Sequence, residues 1–159
     1  MSRTVYIETS VISYLTSRVS RNLIAAARQQ ITQTWWDSRL SYDLYISEAV
    51  SLECAAGDPD AAKKRLDAIE GLSLLRTTKE AMKLSKGMVE RGIIPVKAAE
   101  DSLHISIATI HGMDFLLTWN CKHIANPEIQ RQIALYLEEQ GLFLPFICTP
   151  EELLGADNE

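Results

Sequence analysis

The sequence predicts an α/β fold in three layers, α/β/α, in which helices cover both faces of a mostly parallel central sheet of about four to five strands. Two observations support this class. Short apolar runs typical of buried strands alternate with longer segments that carry helix start signals. Strands separated by helices of about ten or more residues need crossover connections, which favour parallel pairing. The apolar runs cover residues 4–7, 43–46, 72–75, 114–118 and 142–147.

The last run contains Pro145, which has no amide hydrogen to donate to a neighbouring strand, so it is predicted as an edge strand. Helix starts are indicated by capping residues and one helix end by a glycine. These signals are Ser47, Asp58 before Pro59, capping boxes at Thr77 and Thr149, Asn126 before Pro127, and Gly112 after the long helix that ends at His111.

The length of 159 residues fits one ordinary domain. Residues 1–150 are predicted to form that domain, and residues 151–159 a short helical turn with a frayed acidic tail. Apolar residues make up 47% and charged residues 23%, which excludes a disordered or fibrous chain. No apolar run reaches the roughly 18 residues that span a bilayer, and Glu8 interrupts the first one. A cytoplasmic protein with no membrane partner is therefore expected.

The cysteines and the net charge each argue against one class of protein. Cys54, Cys121 and Cys148 are odd in number and widely spaced, which predicts free thiols rather than a disulfide framework. The net charge of -5 argues against a protein that coats nucleic acid through a basic surface. It is compatible with an enzyme whose acidic cleft binds a divalent cation.

Candidate site residues are expected beyond the carboxyl ends of the strands, where open parallel sheets bind ligands. Glu8 ends the first strand, and Asn120 follows the fourth. Glu53 and Asp101 each interrupt a small or apolar helix face. Simpler alternatives exist: Glu8 as an exposed acid or helix cap, Asp101 as a first-turn acid, Asn120 as a turn residue. Together, their oxygens suit Mg²⁺ or Mn²⁺, which would relieve carboxylate repulsion.

Four segments carry a family resemblance: VYIETSVI at 5–12, ISEAVSLE at 46–53, DSLHISIA at 101–108 and MDFLLTWN at 113–120. In this order the chain resembles the PIN-domain ribonucleases, and within them the VapC-like toxins of type II toxin–antitoxin systems. The similarity covers the chain to about Ile147. It implies a PIN-like fold, a Mg²⁺- or Mn²⁺-dependent endoribonuclease that hydrolyses RNA phosphodiester bonds, a small antitoxin partner and a homodimer.

The resemblance places the catalytic set on Glu8, Glu53, Asp101 and Asn120, with the first three as metal ligands. Glu53 would bind a second metal or orient the attacking water. Two positions depart from the family pattern, because Glu8 and Asn120 both stand where Asp is usual. An alternative is therefore a catalytically weakened PIN-like module that binds RNA or protein. A flavodoxin- or receiver-like signalling domain fits less well, since Glu8 lacks an acidic neighbour.

Other polar residues are predicted to support this site. Thr9, Ser10 and Thr118 would orient the carboxylates, although Ser10 could simply begin a helix. Arg18 and Arg21 lie in a stretch, residues 16–36, that has no acid and ends in two tryptophans. With Lys122 and His123, which follow Asn120, they are candidates for contact with RNA phosphates, and the alternative is that they are solvated.

Overall fold

The computed structural model describes residues 2–155, and in this part of the chain five strands form a single sheet. All four neighbouring pairs are parallel and the order is 3-2-1-4-5. Helices flank the sheet, so the predicted α/β class is confirmed. The strands are β1 Thr4–Ile7, β2 Asp43–Ser47, β3 Ser73–Leu75, β4 Phe115–Leu117 and β5 Phe146–Cys148.

Helices connect the strands as the sequence predicts. In chain order they are α1 Thr9–Thr16, α2 Leu23–Asp37, α3 Glu48–Cys54, α4 Pro59–Ile69, α5 Lys79–Glu90, α6 Ala99–Ile110, α7 Pro127–Glu139 and α8 Pro150–Gly155. Short 3₁₀ turns at Arg39–Ser41 and Val96–Ala98 precede β2 and α6. The predicted helical turn near the end is α8, and tail residues 156–159 lie outside the described part.

Most of the predicted caps are observed, and one is wrong. Ser47, Asp58 and Asn126 each accept a backbone N–H in the first turn of the helix that follows them. The predicted box at Thr77 is not formed, because Thr78 is the residue that accepts the Ala81 N–H at 3.1 Å. Two adjacent threonines make the spacing ambiguous by one residue, and the structure uses the second.

The capping box at Thr149 is formed in both directions. Glu152 N–H donates to Thr149 Oγ1 at 3.2 Å, and Thr149 N–H donates to Glu152 Oε1 at 3.0 Å. β5 is an edge strand, as predicted, but it is shorter than the run 142–147. Leu142 instead donates its N–H to Leu137 at the end of α7, so the strand begins only after Pro145.

The centre of the sheet positions the site. β1 lies between β2 and β4, and its residues Val5, Tyr6 and Ile7 are completely buried. Ile105 and Ile107 of α6 are buried in the same core. Because strands β1, β2 and β4 are parallel and adjacent, the segments that follow them emerge at one edge.

The remaining sequence predictions concern the cysteines and the membrane. Cys54, Cys121 and Cys148 are free thiols; the first and last are buried, whereas Cys121 is exposed. Burial raises the pKa of Cys54 to about 11 and that of Cys148 to about 12, so both are poor nucleophiles. Within residues 2–155, no helix has both the length and the apolar character needed to cross a bilayer.

Candidate active site

Glu8 lies directly after β1 and is the N-cap of α1. The residue is buried, with only 5% of its surface exposed. Oε2 accepts the Ser10 N–H at 3.1 Å, and Oε1 accepts the hydroxyls of Ser10 and Thr118, each at 2.5 Å. The structure therefore shows the helix-capping alternative for Glu8, and it excludes an exposed strand-end acid.

The two hydroxyls that bind Glu8 also join the ends of β1 and β4. Ser10 Oγ accepts the backbone N–H of Trp119 at 2.9 Å, and Thr118 Oγ1 accepts that of Asn120 at 2.9 Å. Thr118 is completely buried. The carboxylate of Glu8 is thus surrounded by neutral donors that hold two neighbouring strand ends together.

Glu53 projects from α3 and is held by a different kind of partner. Its Oε1 accepts the Thr9 hydroxyl at 2.7 Å and lies 2.5 Å from Nε2 of His104. The Glu53 side chain is 32% exposed, whereas the His104 side chain is 1% exposed. One oxygen of this carboxylate is therefore fixed from the protein interior while the side chain still reaches solvent.

His104 is a site residue that does not stand out in the sequence. It shares one stripe of α6 with the polar residues Glu100 and His111, a pattern typical of a solvated helix face, yet His104 is buried. Its other close neighbours along the helix, Ile107 and Ala108, are apolar, and this spacing is the signal that indicates burial.

A chain of hydrogen bonds extends from His104 into the core. His104 Nδ1 lies 2.6 Å from the hydroxyl of Tyr6, which lies 2.7 Å from the hydroxyl of Ser47. Tyr6 is on β1, and Ser47 ends β2. Burial raises the pKa of Tyr6 far above its usual value, so its hydroxyl stays protonated and available for these bonds. The imidazole is therefore anchored to the two central strands.

The pKa values of His104 and Glu53 shift in opposite directions. Burial acts to lower the pKa of His104, but the hydrogen bond with Glu53 and the charges of Glu8, Glu53 and Asp101 outweigh it and raise that pKa. Burial acts to raise the pKa of Glu53, but its hydrogen bond with His104 and the charge of that imidazole lower it. The pair therefore favours a carboxylate beside an imidazolium.

Asp101 lies in the first turn of α6 and pairs with a second histidine. Its Oδ2 is 3.1 Å from Nδ1 of His123, and the two side chains are 21% and 16% exposed. Asn120 Oδ1 accepts the His123 N–H at 3.0 Å, and the Asn120 backbone carbonyl accepts the N–H of Ala125 at 2.8 Å. Asn120 thus shapes the loop that brings His123 to Asp101, which matches the turn-residue alternative.

The side-chain oxygens at this edge of the sheet differ in how well they could bind the divalent cation that the sequence predicts. Within residues 2–155, no three His, Cys, Asp or Glu side chains form a group that could hold a metal ion. Glu8 is buried and already accepts three hydrogen bonds, and the oxygen of Asn120 is occupied by the loop. Asp101 is half-buried, and Mg²⁺ commonly binds through one or two carboxylates while it keeps several waters. Among the described residues, Asp101 would therefore hold such a cation through a single carboxylate, with waters supplying the rest of the coordination.

The residues predicted to contact RNA fall into two places. Lys122 is exposed and lies beside His123 in the loop that approaches Asp101. Arg18 and Arg21 are exposed in the connection between α1 and α2, and no hydrogen bond or ion pair among the described residues ties them to the carboxylates. Trp35, one of the two tryptophans that follow these arginines in the sequence, is completely buried in the core and so is not available to stack on a base.

Two solved structures resemble this fold. A chain of the VapBC2 complex from Rickettsia felis, solved with a DNA fragment from its promoter, matches with a TM-score of 0.54 and 13% identity, over 92% of this chain and 98% of that one. VapC20 from Mycobacterium tuberculosis, described as a toxin that cleaves the sarcin–ricin loop, matches with a TM-score of 0.58 and 14% identity, over 74% and 91%. The chain shares the fold of VapC toxins.

The VapC resemblance drawn from four sequence segments is therefore confirmed for the fold. No protein-family model matches the chain, and no curated protein sequence matches it. At 13% and 14% identity these matches show that the fold is shared. The chemistry of the site depends on this chain's own residues.

Proposed function

We propose that this chain is a cytoplasmic, divalent-cation-dependent endoribonuclease that hydrolyses RNA phosphodiester bonds and acts as the toxin of a toxin–antitoxin pair. One observation carries the proposal. Contacts link the three carboxylates: Glu53 is bound by Thr9, the neighbour of Glu8. Glu53 is also bound by His104, which lies one turn along α6 from Asp101. Three carboxylates in one neighbourhood, beyond the carboxyl ends of a parallel sheet, are suited to phosphoryl chemistry.

The catalytic roles divide among these residues by burial. Asp101 would hold the cation with waters, and the buried Glu8 would contribute charge and shape rather than a direct bond. When bound, a divalent cation lowers the pKa of its water and neutralises charge on the phosphate. Glu53, which reaches solvent, would orient the attacking water.

The loop after β4 supplies candidate contacts to the RNA backbone. His123 is held against Asp101, and Lys122 beside it is exposed, so both would reach a phosphate bound near that carboxylate. Arg18 and Arg21 would contact RNA further along the strand, since they lie between α1 and α2. Replacing either arginine should raise KM more than it lowers kcat.

The decisive test is a nuclease assay with Mg²⁺ or Mn²⁺ on labelled RNA, with an RNA that contains a sarcin–ricin loop as the first probe. Asp101→Asn should lower cleavage by about 100-fold or more, and EDTA should abolish it. Asp114→Asn is the matched control. Asp114 lies just before β4 and binds Thr4 at the start of β1, at the opposite end of these strands from the candidate site. Equal cleavage by wild type and Asp101→Asn would refute the proposal.

A second candidate is a catalytically weakened module that binds RNA or protein. The observation that favours it is the engagement of Glu8 and Asn120 in structural hydrogen bonds, at positions where the family resemblance implies Asp. This candidate predicts RNA binding without cleavage at any concentration of Mn²⁺. Cleavage and RNA affinity measured on the same preparation separate the two.

The partners follow from the same proposal. A small antitoxin would cover the carboxylate cleft, and two copies of this chain would form a homodimer. The support for the antitoxin is the match to a chain of a complex named VapBC2. The homodimer is what the family resemblance implies. Light scattering on the purified chain, with and without the product of a neighbouring short gene, would test both.

A further inference from the structure

Two groups bind the same oxygen of Glu53. The Thr9 hydroxyl donates to Oε1 at 2.7 Å, and His104 Nε2 lies 2.5 Å from it. The imidazole is buried and the Glu53 side chain is about one-third exposed. Both of these contacts are made to Oε1. The Glu100 side chain also interacts with the Glu53 carboxylate, and Oε2 is the oxygen that neither Thr9 nor His104 occupies.

The imidazole is in turn fixed from behind. Its Nδ1 lies 2.6 Å from the Tyr6 hydroxyl, and the two rings meet edge to face with centroids 5.9 Å apart. Tyr6 contacts Ser47 Oγ, which also accepts the N–H of Val50 at 3.2 Å. The ring orientation of His104 is therefore set by two completely buried residues, Tyr6 of β1 and Ser47 of β2.

We propose that His104 is a positioning residue that fixes Oε1 of Glu53 through Nε2, so that Oε2 of Glu53 orients the attacking water. His104 does not itself contact RNA and acts through Glu53. The inference deepens the proposed ribonuclease activity and rests on it for its catalytic meaning. The hydrogen bonds themselves are independent of that activity.

The alternative is that His104 only satisfies polar groups in the core. Two substitutions distinguish these alternatives, because each keeps the hydrogen bond of only one of the two ring nitrogens. The amide nitrogen of Gln reaches about as far as Nε2, so His104→Gln keeps a donor for Glu53. Asn is shorter and reaches about as far as Nδ1, so His104→Asn keeps the contact with Tyr6 and loses the one with Glu53.

The first measurement is the kinetics of RNA cleavage. His104→Asn should lower kcat by about 100-fold with KM little changed, because a displacement of about 1 Å in a catalytic group has effects of this size. His104→Gln should stay within about threefold of wild type in kcat. Equal losses in the two variants, or an unchanged kcat in His104→Asn, would overturn the proposal.

The second measurement does not depend on activity. In crystal structures of the variants, Oε1 of Glu53 should stay within hydrogen-bond distance of residue 104 in His104→Gln and move away in His104→Asn. An unmoved Glu53 in His104→Asn would refute the positioning role. If wild type cleaves no RNA, the proposed activity fails, and these structures alone decide whether His104 fixes Glu53.

Discussion

Two carboxylates at the same edge of the sheet are held in opposite ways. Glu8 is 5% exposed and is bound by two hydroxyls and a backbone N–H. Glu53 is 32% exposed and is bound by an imidazole with one hydroxyl. The neutral donors around the buried Glu8 join the ends of two strands. The imidazole of His104 fixes Glu53 from the interior, while the Glu53 side chain still reaches solvent. We therefore assign a mainly structural role to Glu8 and a mainly catalytic role to Glu53.

The largest effect that sharpens this comparison is expected at Glu53. Glu53→Gln keeps the shape and one acceptor oxygen but removes the charge, so it should lower kcat for RNA cleavage by about 10²- to 10⁴-fold. The unfolding free energy should change by less than about 1 kcal/mol, since the site is half-exposed. Cleavage kinetics and urea denaturation on one preparation check both values.

Glu48→Gln is the matched control for that change. Glu48 is the exposed first residue of α3, and its Oε2 accepts the Thr77 N–H at 3.3 Å. It should leave kcat at the wild-type value. An equal loss of kcat in both variants would break the assignment of chemistry to Glu53.

The next effect concerns stability at Glu8. Glu8→Ala removes a helix cap and leaves the buried hydroxyl of Thr118 without its acceptor, so it should destabilise the fold by roughly 2–4 kcal/mol. Asp58→Ala removes the exposed cap of α4 and should cost only about 1 kcal/mol. The midpoints of urea unfolding measure both. If Glu8→Ala costs no more than Asp58→Ala, the structural role of Glu8 is overstated.

The dependence of stability on pH distinguishes the two carboxylates further. The folded pKa of His104 lies above its ordinary 6.5, so its contribution is complete below that pH and is lost as pH rises through the folded pKa. The folded pKa of Glu53 lies below its ordinary 4.5, so its contribution is complete above that pH and is lost in acid. The pair therefore stabilises most between pH 4.5 and 6.5.

Urea unfolding of wild type and Glu53→Gln across pH 4 to 9 checks this window. The stability advantage of wild type should peak inside it and shrink at higher pH, as His104 loses its proton. Glu8 and Asp101 also act on His104, so the shrinkage is partial. An advantage that grows steadily toward pH 9 would contradict the carboxylate–imidazolium pairing.

The smallest effects are expected from the hydroxyl partners. Thr118→Val should destabilise by about 1–2 kcal/mol, because Thr118 is buried and binds a buried carboxylate. Thr9→Val should cost about 0.5–1 kcal/mol, because Thr9 is half-buried and Glu53 keeps its imidazole. Thermal unfolding of the two variants checks the order, and a reversed order would weaken the comparison.

Local patterns were sufficient to predict the fold and where the carboxylates lie. Apolar runs between helix caps placed the strands, and the strand ends placed Glu8 and the segments that carry Glu53 and Asp101. The apolar neighbours of His104 indicate its burial, but its partners could not be predicted from local pattern, because Tyr6 and Glu53 are 98 and 51 residues away. The sequence could not show whether Thr77 or Thr78 caps α5, because two adjacent threonines both fit the pattern and the position of the backbone decides between them.

The central claim, that His104 acts on the reaction only through Glu53, is tested most directly by a double-mutant cycle. The kcat for RNA cleavage would be measured for His104→Asn, Glu53→Gln and the double variant under one set of conditions. The account predicts that the double variant is no slower than Glu53→Gln, to within about threefold, because the two residues form one unit. Losses that multiply in the double variant would contradict it.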